Sequence, residues 1–105
     1  DSDWEVEAED LDRLIPCRYL DVREPSTAMT PLPGMRAIPL SRLAAELPHL
    51  DPAARYVICC QHGELSRHAV RMLRGAGIRE AWSLRGGLRT IGDRWNVMSL
   101  PEGAT

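Results

Sequence analysis

Residues 57–67 read Val-Ile-Cys-Cys-Gln-His-Gly-Glu-Leu-Ser-Arg. An apolar run ends in a cysteine, and an amphipathic helical pattern begins six residues later, which is typical of a strand, a short loop and a helix. Cys60 therefore lies at the mouth of a loop whose backbone N–H groups can turn inward. A helix N-terminus points back at it, and both the amides and the helix dipole favour an anion there. We expect Cys60 to be a nucleophile that reacts as a thiolate.

Length and composition predict a soluble protein of one domain. The chain has 105 residues, 44% of them hydrophobic and 27% charged, which fits a single domain over residues 1–105 with its core at about 4–95 and a tail at 96–105. The apolar runs are shorter than the ~18 residues of a membrane span, and no signal-peptide pattern opens the chain. Three cysteines, two of them adjacent, argue against a disulfide framework and for a reducing, cytoplasmic setting.

Charge is distributed unevenly along the chain, whose formal net charge is −2. Residues 1–12 hold seven of the fifteen acidic side chains and no basic one, so that thirteen arginines face eight acids in the remainder. The absence of lysine excludes Schiff-base chemistry and the lysine of a phosphate-binding P-loop. The arginines either attract an anionic substrate or acidic partner, or form a solvated surface. Without lysine and with few aromatic residues, nucleic-acid binding is not expected.

Predicted strands alternate with short helices along the rest of the chain. In the first half of the chain, hydrophobic spacing and the positions of Pro and Gly predict a helix at 9–15, a strand at 18–22, an ordered loop at 24–39 and a helix capped by Ser41. In the second half, they predict a strand at 55–59, a helix capped by Ser66 that runs to about Arg74, and a strand at 78–84. A turn at 86–87 and a helical turn at 88–91 follow. This alternation is typical of a parallel sheet with helices on both faces. Ligands bind at the carboxyl ends of such strands, so Cys60 and Asp21 are expected to share one crevice.

Four motifs in the chain resemble, in order and spacing, those of the single-domain rhodanese family. They are Leu20-Asp21-Val22-Arg23-Glu24-Pro25, then Pro33-Gly34 with Ile38-Pro39-Leu40, then Cys60-Gln61-His62-Gly63, and then Leu84-Arg85-Gly86-Gly87-Leu88. The resemblance runs from about residue 6 to residue 95. It implies a rhodanese-like open five-stranded parallel sheet with helices on both faces, and a sulfurtransferase that carries a sulfane sulfur as a Cys60 persulfide.

The predicted site consists of Cys60, the substrate loop that follows it, and two supporting residues. The loop residues are Gln61, His62, Gly63, Glu64, Leu65, Ser66 and Arg67. Their backbone amides are expected to stabilise the thiolate and then the terminal persulfide sulfur. Ser66 either only caps the helix or also donates to the sulfur, and His62 is either a general base or an exposed loop residue. Asp21 and Arg23 either orient the loop through hydrogen bonds or form a purely structural ion pair.

The other cysteines have ordinary structural interpretations. Cys59 ends the strand, so it is expected to point away from Cys60 and to pack in the core as a small hydrophobic residue, and Cys17 is expected in the core as well. A disulfide between the adjacent cysteines would be strained. A metal site built from Cys59, Cys60, His62 and His68 lacks the usual cysteine spacing of zinc sites. We therefore expect neither a metal nor another cofactor.

Two other functions compete with sulfur transfer. A tyrosine-phosphatase-like enzyme needs an arginine six residues after its cysteine to bind the phosphate. Position 66 is serine, so this function is not expected. A non-catalytic rhodanese-like module for protein binding or regulation stays open, and the acidic N-terminus and abrupt start allow it to be a domain of a larger fusion protein. Arg67, Arg71 and Arg74 recur on one helix face and are expected to be solvated, with Arg67 nearest the site.

The substrate loop also predicts the sulfur donor. Many rhodaneses have arginine at the position of Leu65, and Glu64 adds a carboxylate to the loop. The loop is thus a poor site for a dianion, so we expect weak activity with thiosulfate and a preference for a persulfide donor. A thiol, cyanide or a protein is the expected sulfur acceptor.

Overall fold

A computed structural model of the chain describes residues 4–24, 34–61 and 63–88. Five strands in these ranges form one sheet: β1 (Glu5–Val6), β2 (Arg18–Asp21), β3 (Met35–Ala37), β4 (Tyr56–Cys59) and β5 (Ala81–Leu84). All neighbouring strands are parallel, and their order is β1-β5-β4-β2-β3. The predicted open five-stranded parallel sheet is confirmed.

Helices cover the two faces of the sheet. The helices α1 (Leu40–Glu46) and α2 (Glu64–Gly75) pack on one face, and a 3₁₀ helix at Ala8–Leu14 packs on the other, while a short 3₁₀ helix at Leu47–His49 extends α1. Successive residues of a strand point to opposite faces. The central strand β4, buried along its whole length, therefore contributes side chains to both cores.

The register between β2 and β4 positions the predicted site. Asp21 lies beside Cys59 in the ladder, so both strands end at the same edge of the sheet. The Val22 amide donates a hydrogen bond of 2.9 Å to the Cys59 carbonyl, which continues the pairing one residue further. The segments that follow Asp21 and Cys59 consequently meet, as the sequence predicts for a crevice at the carboxyl ends of the strands.

Two strands and several element boundaries differ from the predicted ones. β1 has two residues and β3 lies in the segment 24–39 that was expected to be a loop. Strands of two or three residues are too short to show a period of two, and both lie at the edges of the sheet. The first helix is of the 3₁₀ type, and β5 begins three residues later than predicted.

The prediction that Ser41 caps a helix is wrong. Ser41 lies in the first turn of α1, whose N-cap is Pro39. The proline side chain cannot accept a hydrogen bond, and the Glu24 carboxylate, 17 residues before Ser41, caps the helix amide instead. It accepts hydrogen bonds from the Ser41 amide at 3.0 Å and from the Ser41 hydroxyl at 2.9 Å.

The prediction that Ser66 caps α2 is also wrong. The helix begins at Glu64, and its N-cap is Gly63, whose φ of 96° is in the left-handed region. That conformation is accessible to glycine and starts the helix three residues earlier than an N-cap serine at position 66 would. Ser66 is consequently a fully buried residue of the first helical turn, a position from which its hydroxyl reaches the site.

The prediction of a solvated arginine stripe on α2 holds for Arg67 and Arg71, which are exposed, and fails for Arg74. The Arg74 guanidinium carbon lies 4.8 Å from the ring centroid of Trp4 and 5.6 Å from that of Trp82. Its Nε donates to the Ala81 carbonyl at 2.9 Å, and burial lowers the pKa of Arg74. This residue therefore packs α2 against the sheet through cation–π contacts.

Some predicted features lie outside the described residues, namely His62, the helical turn at 88–91 beyond Leu88, and the tail at 96–105. Of the helices in the described ranges, none has the length and apolar character that crossing a membrane requires.

Candidate active site

The Cys60 sulfur lies directly beyond the end of β4, on the face that α1 and α2 cover, and the residue is 2% exposed. The Gly63 amide donates to Sγ at 3.0 Å and the Ser66 amide donates to it at 3.4 Å. Both donors belong to the N-terminal end of α2, where the helix dipole is positive. The loop amides thus turn inward, as predicted, and the arrangement stabilises negative charge on the sulfur.

The Ser66 hydroxyl adds a third polar group beside the sulfur. Its Oγ lies 3.6 Å from Cys60 Sγ and donates to the Gly63 carbonyl at 3.2 Å. It also lies 2.6 Å from the Oγ of Ser83, a buried residue of β5. Sequence reasoning missed Ser83, because the only signal was a single hydroxyl in an otherwise apolar strand.

Two features of position 63 require glycine there, namely its backbone conformation and the close approach of another segment of the chain. Its φ is 96°, and an added Cβ would lie 3.2 Å from the Gly86 amide nitrogen. A side chain at position 63 would therefore be strained and would press on the turn after β5. Position 63 therefore requires glycine on both grounds.

The turn after β5 packs against the start of the substrate loop. Gly87 has a φ of 75°, and a Cβ there would collide with the carbonyl groups of Gln61 and Cys60. The following amide, that of Leu88, donates to the Cys60 carbonyl at 2.7 Å. The sequence predicts this turn but not its contact with the site, because the contact comes from a different strand.

Asp21 and Arg23 form a buried ion pair at the base of the loop. Arg23 Nη2 lies 2.6 Å from Asp21 Oδ2, Nε donates to both carboxylate oxygens at 2.9 and 3.0 Å, and the Arg23 amide donates to Oδ1 at 3.0 Å. Arg23 Nη1 also donates to the side-chain oxygen of Gln61 at 3.5 Å. The two residues therefore form a structural ion pair and also contact Gln61, the first loop residue. Both interpretations of the pair that the sequence left open are thus combined.

The other two thiols have different surroundings. Cys59 is fully buried on the opposite face of the sheet from Cys60, as the alternation of a strand predicts. Burial raises the pKa of the Cys59 thiol far above its usual range, and the neighbouring Asp21 carboxylate raises it further. Burial likewise raises the pKa of Cys17, which is only partly exposed. Ionisation of either thiol is unfavourable, and among the hydrogen bonds of the described residues the amide donors are directed at Cys60.

The side chains of the loop carry little positive charge. Glu64 and Arg67 are exposed, while Leu65 is partly buried against the core that α1 and α2 cover. His62 is not among the described residues. Within the ranges that the structure describes, no three His, Cys, Asp or Glu side chains are grouped so that they could hold a metal ion.

Comparison with known proteins places this arrangement in a family. The model of the family described as rhodanese-like domain matches residues 7–93. The thiosulfate sulfurtransferase GlpE of Ectopseudomonas mendocina is 35% identical over 69 residues. That match covers 65% of this chain and 63% of the GlpE protein, so it spans less than two thirds of the relative's length.

Solved structures show the same similarity in three dimensions. The human single-domain sulfurtransferase TSTD1 is 26% identical with a TM-score of 0.69, over 82% of this chain and 92% of TSTD1. An NAD-dependent persulfide reductase from A. fulgidus is 25% identical with a TM-score of 0.65 over 80% of this chain. The similar region is 15% of that reductase, so this fold also occurs as one part of a larger enzyme.

Proposed function

The chain belongs to the family of rhodanese-like domains, and we propose that it is a sulfurtransferase that carries a sulfane sulfur as a persulfide on Cys60. The observation that carries the proposal is the pair of amides, from Gly63 and Ser66, that donate to the Cys60 sulfur. These donors suit the thiolate that attacks and the terminal sulfur of the persulfide that results. GlpE and TSTD1, both named as sulfurtransferases, support the same reaction class.

In the first step, the Cys60 thiolate attacks the outer sulfur of a donor persulfide, R–S–SH. A new S–S bond forms to Cys60 while the S–S bond of the donor breaks, and the donor leaves as a thiolate with the bonding electron pair. The proton of the donor passes to that leaving thiolate, so the products are the Cys60 persulfide anion and R–SH. The amides of Gly63 and Ser66 lie at the N-terminus of α2, where they favour the anionic form.

In the second step, an acceptor thiolate attacks the outer sulfur of the Cys60 persulfide. The acceptor gains that sulfur as its own persulfide, and Cys60 is released as the thiolate that began the cycle. With cyanide as acceptor, the product is thiocyanate. The two steps balance without an external oxidant or reductant, so the site needs a good nucleophile and a stabilised leaving group, and one thiolate serves as both.

We propose a persulfide as the preferred donor, with thiosulfate a weak one. Glu64 is exposed in the first turn of α2, and Leu65 packs toward the core without adding a positive charge. Arg67 is exposed to solvent, and the Arg23 guanidinium beside the loop is already paired with Asp21. A dianion would meet the Glu64 carboxylate here, which forms no ion pair within the described part of the chain. The persulfide reductase among the similar structures supports a persulfide as substrate class.

Intact-mass measurement tests the proposal. The protein is exposed to glutathione persulfide and, separately, to thiosulfate, and is then treated with cyanide. We expect a mass gain of one sulfur atom that cyanide removes, larger with the persulfide. The gain should be lost in Cys60→Ser and kept in Cys59→Ser, the matched control one residue away on the opposite face of the sheet.

The opposite outcomes are equally clear. A gain that persists in Cys60→Ser would move the carrier to another thiol. The absence of any gain with either donor would overturn sulfur transfer and would favour a non-catalytic module that binds a protein partner.

A further inference from the structure

The hydroxyls of Ser66 and Ser83 form a buried pair behind the Cys60 sulfur. Their Oγ atoms are 2.6 Å apart, and both residues are almost inaccessible to solvent. Among the residues that the structure describes, Ser66 is the hydrogen-bond partner of the Ser83 hydroxyl. Ser83 lies on β5, on the same face of the sheet as α2 and Cys60.

The direction of this hydrogen bond follows from counting donors and acceptors. A hydroxyl has one proton to donate and two lone pairs. If Ser66 donated to Ser83, the Ser83 proton would be buried without an acceptor, which is unfavourable. Ser83 therefore donates to Ser66, and the proton of Ser66 stays available for another acceptor.

Two acceptors compete for that proton. The Gly63 carbonyl lies 3.2 Å from Ser66 Oγ, and Cys60 Sγ lies 3.6 Å from it. While Cys60 is a thiol, its S–H can donate to the second lone pair of Ser66, and Ser66 donates to Gly63. Once the thiol proton has passed to solvent water, the sulfur only accepts, and a hydrogen bond to an anion is stronger than one to a neutral carbonyl. Rotation of the Ser66 hydroxyl then brings its proton to the sulfur.

We propose that Ser83 is a positioning residue, which directs the Ser66 hydroxyl toward the Cys60 sulfur when that sulfur is anionic. The inference rests on the proposed function, because it assumes that Cys60 reacts as a thiolate. By donating to Ser66, Ser83 fixes the position of the Ser66 oxygen and polarises the Ser66 O–H bond. The hydrogen bond that Ser66 donates to the sulfur is strengthened as a result. Ser83 has no contact with the sulfur among the described hydrogen bonds, so its effect must pass through Ser66.

A matched pair of substitutions at position 83 tests this role. Ser83→Thr and Ser83→Val enlarge the side chain equally, and only threonine keeps the hydroxyl. The readout is the alkylation rate of Cys60 as a function of pH, with the labelled peptide identified by mass spectrometry. In Ser83→Val we expect the pH of half-maximal rate to rise by about half a pH unit relative to Ser83→Thr. In a Ser66→Ala background, the two should coincide.

Ser83→Ala, which adds no volume, supplies the same comparison with the unmodified chain should Ser83→Val not fold. Identical pH profiles with and without the hydroxyl at position 83 would overturn the inference, and so would a difference that persists in the Ser66→Ala background. Failure of the proposed function gives a different result. The unmodified protein would then acquire no cyanide-labile sulfur on Cys60, whatever residue stands at position 83.

Discussion

The backbone amide of Leu88 donates a hydrogen bond of 2.7 Å to the carbonyl oxygen of Cys60. Through the turn at Gly86 and Gly87, the neighbouring strand β5 thereby fixes Cys60, the residue directly before the substrate loop. The same turn meets Gly63 on the other side of the loop. Loop and turn form one unit, so the orientation of the loop amides depends on residues that are distant in sequence.

Substitution of Gly87 should damage the site more than its backbone conformation alone explains. In Gly87→Ala the Cβ would collide with the carbonyl groups of Gln61 and Cys60, in addition to the strain of a φ of 75°. A left-handed conformation costs an L residue about 1–2 kcal/mol. We expect a loss of unfolding free energy clearly above that range in urea denaturation, together with slower alkylation of Cys60.

Gly34→Ala is the matched control, because Gly34 has a φ of 82° and no atom of the described residues lies within 4 Å of an added Cβ. It should show only the conformational term of about 1–2 kcal/mol and unchanged reactivity of Cys60. Equal effects of the two substitutions would mean that the turn does not hold the loop.

The buried pair of Asp21 and Arg23 should be far more important for stability than the exposed ion pairs. Arg23→Met leaves the Asp21 carboxylate buried without its guanidinium, and breaking a buried pair in this way costs about 3–5 kcal/mol. Arg36→Met, which breaks the 3.5 Å pair with Glu46 at the surface, should cost about 1 kcal/mol or less. Urea denaturation measures both values.

A second substitution separates the ion pair from the packing of the arginine. Asp21→Asn combined with Arg23→Met removes both charges, and we expect it to be more stable than Arg23→Met alone, because no uncompensated charge stays buried. A double variant that is no more stable than Arg23→Met would show that the arginine acts through its packing.

Local sequence pattern was sufficient to predict the position of the Cys60 thiol. An apolar run that ends at Cys60 and a helix that starts shortly afterwards place the thiol at the carboxyl edge of a sheet, and strand alternation separates it from Cys59. The same reasoning placed Asp21 in the same crevice, since parallel strands end at one edge.

Contacts that cross the sheet were not predictable in the same way. Ser83 and Gly87 reach the site from β5 and from the turn after it, and their residue types alone do not indicate a partner. Serine favours the N-cap position and so predicts a cap at Ser66, but a glycine in the left-handed conformation begins the helix earlier. The hydroxyl is then within reach of both the sulfur and the Gly63 carbonyl.

Stability should fall in alkaline solution, and Cys59 should contribute to the fall. Burial raises the pKa of Cys59, so above about pH 8.5 the unfolded chain loses a thiol proton that the folded chain keeps. The folded state then binds more protons, and unfolding free energy declines by up to about 1.4 kcal/mol per pH unit for this one group. Urea denaturation at pH 7.5 and pH 9.5, with a reductant present, measures the decline.

Cys59→Val keeps a small apolar side chain and removes the titrating group, so the decline should become shallower. A residual decline is expected, since burial also raises the pKa of Cys17 and of Tyr19. If the valine variant shows the same pH dependence as the unmodified chain, Cys59 must already ionise normally in the folded protein.

The charge of the loop should set the choice between sulfur donors. Leu65→Arg adds a cation and Glu64→Gln removes an anion at the N-terminal end of α2, and a charge about 4 Å away in water changes an interaction by about 1 kcal/mol. Each variant should raise kcat/KM for thiosulfate about five-fold relative to glutathione persulfide.

Glu80→Gln is the control, because Glu80 lies directly before β5, at the opposite ends of the strands from the loop, and it should leave the ratio unchanged. The gain should shrink at high ionic strength, because salt screens exposed charges. A gain that is equal for both donors would assign these side chains a role in reactivity instead of selectivity.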